Sequence, residues 1–113
     1  MLRKQTELPD LALEALGNAE RRRLVRSLAA GAKSVSELAS MLPISRPAVS
    51  RHLRLLEEAG LVSHKPRGTR NIYQLDPAGL EATAAWLSQF WDEAEARLKL
   101  VARNTAPRKP SRV

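Results

Sequence analysis

The chain has 113 residues, with 19 lysines and arginines against 12 aspartates and glutamates, so its formal net charge is +7 at pH 7. That length fits one small domain able to bury a modest core and made more secure by a partner's interface, while the charge favours an anionic partner without choosing among DNA, RNA and a membrane surface. The absence of cysteine excludes disulfides, thiol nucleophiles, thiolate metal sites and thiol redox sensing.

The chain opens on Arg3 and Lys4 followed by Gln5, Thr6 and Glu7. No apolar run follows them and no later segment reaches the length of a membrane-spanning helix, which predicts a cytoplasmic protein with no membrane partner. Residues 1–7 are expected to be a flexible N-terminus. Leu11, Leu13 and Leu16 mark a first helix ending near Gly17. Asn18 caps a second helix, which carries Leu24, Val25 and Leu28 before Gly31. Next, Ser34 stands three residues before Glu37 and ahead of Leu38, Ala39 and Leu42. Hydroxyl and carboxylate at that spacing cap each other's orphan amides, so a short helix runs from about Val35 to Met41. Pro43 cannot donate an i to i−4 bond and turns Leu42 away from helix. Ser45 then offers a new N-cap ahead of Arg46 and Pro47, where a first-turn proline is tolerated.

A helix over 46–59 follows. Val49, Leu53 and Leu56 recur at helical spacing as its buried stripe, Arg46, Ser50, Arg51, His52 and Arg54 lie off that stripe, and Gly60 supplies a left-handed stop. Leu61–Lys65 and Arg70–Leu75 are strand candidates joined through Pro66, Arg67, Gly68 and Thr69, which is turn chemistry, so 61–75 reads as a wing. Its register stays open because Ile72, Tyr73 and Leu75 do not alternate cleanly. Asp76 and Pro77 cap a long last helix over 77–103, in which Leu80, Ala84, Leu87, Trp91, Ala94, Leu98 and Val101 alternate steps of four and three in a coiled-coil type of seam. Trp86 and Phe90 form a second stripe on a different face. So much apolar surface predicts a homodimer through this helix, helped by the first; the competing reading buries both stripes within one protomer. Residues 104–113, with Arg108, Lys109 and Arg112, are expected to be a basic, disordered tail.

The charges are sorted along the chain. Arg46, Arg51, Arg54, Lys65, Arg67 and Arg70 outnumber Glu57 and Glu58, whereas Asp76 to Glu95 holds only acids among its charged residues. The wing turn, with Lys65, Arg67 and Arg70 and no acid between them, is made for a phosphate backbone.

The run from Ile44 through Ser45-Arg46-Pro47-Ala48-Val49-Ser50-Arg51-His52-Leu53 to Glu57-Glu58-Ala59-Gly60-Leu61-Val62 resembles the recognition-helix signature of bacterial ArsR-type winged helix-turn-helix repressors. Ala15 to Arg22 resembles the family's approach to its second helix, and Gly68 to Pro77 resembles its wing; the likeness covers roughly Leu8 to Val101, in the right order throughout. The resemblance implies a mostly α fold with a small β-hairpin, a winged helix-turn-helix domain over 8–103 with N- and C-terminal dimerisation helices. It implies a sequence-specific DNA-binding transcriptional regulator, a dimeric repressor of its own operon. The expected dimer seam is Leu80, Ala84, Leu87, Trp91, Ala94 and Leu98. A two-fold dimer places recognition helices in successive major grooves about 34 Å apart, so its operator is an imperfect palindrome.

Within that frame Ser45 and the first-turn amides suit a phosphate, with Pro47 beside them, and Arg46, Ser50, Arg51 and His52 are candidates for base edges. Arg54, Lys65, Arg67 and Arg70 fall to the backbone or a minor groove. A neutral histidine packed at the helix interface is the competing reading of His52, and His64 reads as a surface residue. The family's metal sensors carry cysteines in the first helix of the DNA-reading pair; Ser34 and Ser36 stand at those positions, and hydroxyls are poor ligands for soft ions. Asp92, Glu93 and Glu95 have no histidine in their helix to complete another known family site. No metal and no cofactor is therefore expected, and any small-molecule effector is unidentified, with Trp86, Phe90 and Trp91 as the one aromatic concentration that could line an apolar pocket. A winged-helix interaction module or non-specific nucleic-acid binder is the alternative function. An enzyme is not supported: Ser50 and His52, two apart on a helix, cannot face each other, and the neighbours Glu57 and Glu58 diverge.

Overall fold

The computed structural model describes residues 2–104, with side chains from Pro9 to Arg103. In chain order the elements are α1 (Leu2–Ala15), α2 (Ala19–Ala29), β1 (Lys33–Ser34), α3 (Val35–Met41), α4 (Arg46–Glu58), β2 (Val62–Arg67), β3 (Arg70–Leu75) and α5 (Pro77–Asn104). They fall into two compact units, the first ending at Thr83 and the second beginning at Ala84.

Local chemistry sets most boundaries of the first unit. The Asn18 side chain accepts the Arg21 amide at 3.0 Å and starts α2. Ser34 and Glu37 form the complete capping box: the Glu37 amide donates to the Ser34 hydroxyl at 3.1 Å and the Ser34 amide to the Glu37 carboxylate at 2.7 Å. The Ser34 amide foremost, and the Ser34 hydroxyl after it, hold the Glu37 carboxyl below the usual carboxylate range, with Arg70 and Lys33 adding to the effect. At the head of α4 the Ser45 hydroxyl accepts the Ala48 amide at 3.3 Å with Pro47 in the first turn, and Gly60, at φ 80°, lets the chain leave in the left-handed conformation. Asp76 opens α5 by accepting the Ala78 amide at 3.1 Å.

The buried core draws on α1 to α4 and on the hairpin strands β2 and β3. Leu24 and Leu28 of α2, Leu38 of α3, Val49, Leu53 and Leu56 of α4, and Leu61, Val62 and Tyr73 meet with Ala12 and Ala15 of α1. Leu24, Leu38, Leu53, Leu56 and Leu61 are fully buried, and burying each such side chain contributes about 1.5–3 kcal/mol.

The structure departs from the sequence reading in three places. Helix α1 starts at Leu2 and so includes residues expected from the sequence to be a flexible N-terminus, since Leu2, Arg3, Lys4, Gln5 and Glu7 are good helix formers; Pro9 lies inside it and supplies no amide for the carbonyl four residues back. The hairpin is part of a three-stranded antiparallel sheet in the order β1-β3-β2. Strand β1 pairs Lys33 with Tyr73 and Ser34 with Ile72. It is too short and polar to read from pattern, and it exists because an N-cap residue is extended: Ser34, at φ −81° and ψ 165°, serves strand and cap at once. Thirdly, β2 continues through Arg67, and the turn shrinks to Gly68 and Thr69. Gly68, at φ 65°, occupies the first central position of that two-residue loop. Pro66 is accommodated because β2 is an edge strand.

Gly79 in the first turn of α5 allows a close backbone approach. A Cβ there would lie 1.6 Å from the carbonyl oxygen of Gly60, so this turn rests directly on the α4–β2 joint, where the Asp76 amide donates to the Leu61 carbonyl at 2.9 Å. Leu80 packs on the same protomer's core. In the second unit α5 continues as helix with Trp86, Leu87, Phe90, Trp91, Leu98, Leu100 and Val101 exposed, and the Trp86 and Phe90 rings stack at 5.5 Å. The tail expected over 104–113 lies outside the described residues from Thr105 onward.

Candidate nucleic-acid interface

Turning about 100° per residue, α4 divides into four directions. Val49, Leu53 and Leu56 point into the core. Opposite them Pro47, Arg51, Arg54 and Glu58 form an outward ridge, all exposed. Toward the wing lie Arg46, Ser50 and Glu57, and toward α2 and α1 lie Ala48, His52 and Leu55.

Both flanks are tied down by histidines. A guanidinium N–H of Arg21 donates to His52 Nδ1 at 3.3 Å; since arginine only donates, Nδ1 is the acceptor and His52 is neutral with its hydrogen on Nε2. Burial first, and the Arg21 charge second, push the His52 pKa below the ordinary histidine value. Arg21 Nε also donates to the Ala15 carbonyl at 2.6 Å, closing the end of α1. The sequence-predicted His52 thus lies at the α2–α4 junction and away from the outward ridge. On the other flank His64 Nδ1 donates to the Glu57 carboxylate, 2.9 and 3.0 Å from its two oxygens, and the His64 ring lies 5.0 Å from that of Tyr73. Tyr73 is buried, and that burial raises its pKa. His64 is therefore a brace between wing and helix, a role that sequence spacing did not reveal.

The register gives the wing two faces. Val62, His64, Tyr73 and Leu75 share the side turned to the core and α4; Lys65, opposite Ile72, alternates with them on the other side, and Arg67 and Arg70 pair at the tip. Lys65, Arg67 and Arg70 are exposed. Arg67 and Arg70 are a directly opposed pair at the tip, a like-charge arrangement that costs stability and that a bound anion relieves.

Among the described residues, the pairs within 4.0 Å are His64–Glu57 and Lys99–Glu95. Arg46, Arg51, Arg54, Lys65, Arg67 and Arg70 all lack an ion-pair partner there. In the first turn of α4, Pro47 has no amide, Ala48 donates to the Ser45 hydroxyl and Val49 to the Ser45 carbonyl, so only the Arg46 amide stays free. An anion at this helix end finds one backbone donor, fewer than the sequence led us to expect, and must rely on side chains. The Ser34 hydroxyl, at a position where the family's metal sensors carry cysteine, accepts the Glu37 amide. No cluster of three potential metal ligands occurs among the described residues, and no helix there is long and apolar enough to cross a membrane.

Of the predicted seam, Ala84, Leu87, Trp91 and Leu98 are exposed, Ala94 is half-buried, and Leu80 is the member used by the first unit's own core. Sequence reasoning missed Arg21, Glu57 and Tyr73 as supports, because each acts through a partner on another element.

Comparison with known proteins agrees with this arrangement. The family model described as "Bacterial regulatory protein, arsR family" matches residues 18–64. The HTH-type transcriptional regulator Rv2034 of Mycobacterium tuberculosis is 52% identical over 86 residues, 76% of this chain and 80% of that one. An ArsR-like transcriptional regulator from Rhodococcus sp. RHA1 superposes with a TM-score of 0.75 at 30% identity, covering 87% of this chain and 92% of that one. The solution structure of a homodimeric winged helix-turn-helix DNA-binding domain from Mycobacterium bovis gives a TM-score of 0.59 at 26% identity, covering 87% of this chain and 85% of that one. With its capped helix α4, braced wing and exposed arginine ridge, the chain belongs to the arsR family of bacterial regulatory proteins.

Proposed function

We infer that the protein is a sequence-specific, homodimeric transcriptional repressor that acts in the cytoplasm, binds an imperfect palindrome at its own operon, and carries out no enzymatic reaction. The observation that carries this reading is the outward ridge of α4, whose Arg51 and Arg54 are exposed and have no ion-pair partner among the described residues. Seated in a major groove, the ridge offers Arg51 as the bidentate reader of a guanine, with Arg54 a turn away on bases or the adjacent backbone. Lys65, Arg67 and Arg70 on the wing then hold flanking phosphates, which gives affinity without sequence information. Residues 84–104 serve as the dimerisation arm. Trp91 and Leu98, 58% and 61% exposed, are far more apolar than a solvated helix needs, and a second copy of the same stripe covers them. Such a dimer, lying across its own promoter, excludes polymerase by occupying the DNA.

Fluorescence anisotropy on the native upstream duplex and on a scrambled one, each at two salt concentrations, tests the reading. A preference of roughly a thousand-fold for the native duplex, saturating at two protomers per site, is expected. Equal binding to both duplexes, steeply weakened by salt, would mean a non-specific electrostatic binder.

A further inference from the structure

A cleft of about 230 Å³ opens between the start of α4 and the wing, lined by Ser36, Arg46, Ser50, Thr69, Arg70 and Asn71 among others. Of its whole lining only Val35 is apolar, and none is acidic. Arg46 comes from the first turn of α4 and Arg70 from the first position of β3, so two cationic residues from separate elements border one space. Neither has an ion-pair partner among the described residues. Glu37, the acid whose field Arg70 shares, has its carboxylate turned onto the Ser34 amide at 2.7 Å. The Arg46 amide is the one uncommitted backbone donor of the α4 first turn. A lining with two arginines, several hydroxyls and no carboxylate has the donor chemistry that a tetrahedral oxyanion takes.

We propose that this cleft seats one backbone phosphate of the bound duplex between Arg46 and Arg70, with the hydroxyls of Ser36, Ser50 and Thr69 as further donors. The inference rests on the DNA-binding reading above and deepens it. It moves Arg46 from the base-edge readers to the residues that fix register, and it assigns Ser36 and Thr69 a role at the DNA backbone that nothing in their sequence spacing marks. The wing and the recognition helix then grip the same strand at one shared point.

The test uses the full chain and a duplex that the wild-type protein selects from a randomised library, with a scrambled duplex as reference. The R46Q/R70Q double variant should lose affinity for both duplexes by the same factor. Its operator-to-scrambled ratio should stay at the wild-type value, and its plot of log affinity against log salt should be shallower by about 0.9 for each phosphate it no longer neutralises. R46K/R70K, which keeps the charge and loses the fork, should fall between the two and controls for folding. Methylphosphonate placed at single phosphates of the operator should then weaken the wild type at one symmetry-related pair of positions and leave R46Q/R70Q unaffected there. A double variant that binds scrambled DNA normally but no longer prefers the operator makes Arg46 a base reader and overturns the inference alone. So does an unchanged salt slope, or tight saturation of the cleft by inorganic phosphate without DNA. A wild-type protein that selects no duplex overturns the DNA-binding reading and this inference with it.

Discussion

Helix α4 and the part of α5 beyond Ala84 are both amphipathic, yet their exposed residues tell opposite stories. Helix α4 buries Val49, Leu53 and Leu56 completely and leaves cations outside; the second unit leaves Trp86, Leu87, Phe90, Trp91 and Leu98 exposed. The first pattern is finished within one protomer, and what remains outside is charge looking for an anion. The second is unfinished, and what remains outside is apolar area that water disfavours, roughly 25 cal/mol per Å². One surface should therefore respond to salt and the other to protein concentration.

The comparison breaks most severely at Leu53. Leu53→Ala empties a fully buried site and should lower unfolding stability by about 2–5 kcal/mol in urea titration, taking DNA binding with it; a loss below about 1 kcal/mol would mean that the α4 stripe is not the core of the first unit. Trp91→Glu should spare that core. It should raise the dimer dissociation constant by about 100-fold or more, the size expected of an aromatic hot spot, in sedimentation equilibrium, with unchanged urea stability of the monomer at low concentration. Arg51→Ala should cost about 1–3 kcal/mol on the operator and relax discrimination at one base pair in each half-site, while the dimer stays intact. The smallest effect concerns His52. Its folded pKa lies below the ordinary value of 6.5, so the unfolded chain binds the proton first as pH falls. The stability contributed by neutral His52 is therefore complete above pH 6.5 and declines below it toward the folded pKa. In His52→Gln the stability of the first unit should vary less with pH across that window; an unchanged slope would remove His52 as its source.

How far each helix could be read in advance follows from where its determinants lie. The capping box of Ser34 and Glu37, the cap at Ser45 and the left-handed Gly60 are interactions within a few residues, and they placed α3 and α4 correctly. The exposed ridge was legible too, because helical periodicity separates Arg51 and Arg54 from the buried stripe. It does not say which flank meets α2 and which the wing, so it does not separate His52, at the α2 junction, or Arg46, toward the wing, from the residues of the ridge. Strand β1 had no pattern, since its pairing is decided by β3 some forty residues on. The open wing register has a related cause: β3 is the middle strand, so Ile72 and Leu75 are half-buried beside the buried Tyr73 and no side is left purely polar. Gly79 gave no signal because its significance is its close approach to Gly60, two elements away.

The bond between Glu57 and His64 has a consequence for how DNA is chosen. On the DNA-binding reading proposed above, it would join recognition helix and wing before any duplex arrives, and the pair would act as a caliper set to one opening instead of two fingers that close on whatever they meet. Little ordering entropy is left to spend on binding. A duplex whose groove width does not suit that opening has to deform itself, and the energy of doing so depends on base steps the protein never touches. Part of the operator's sequence is then measured as a distance.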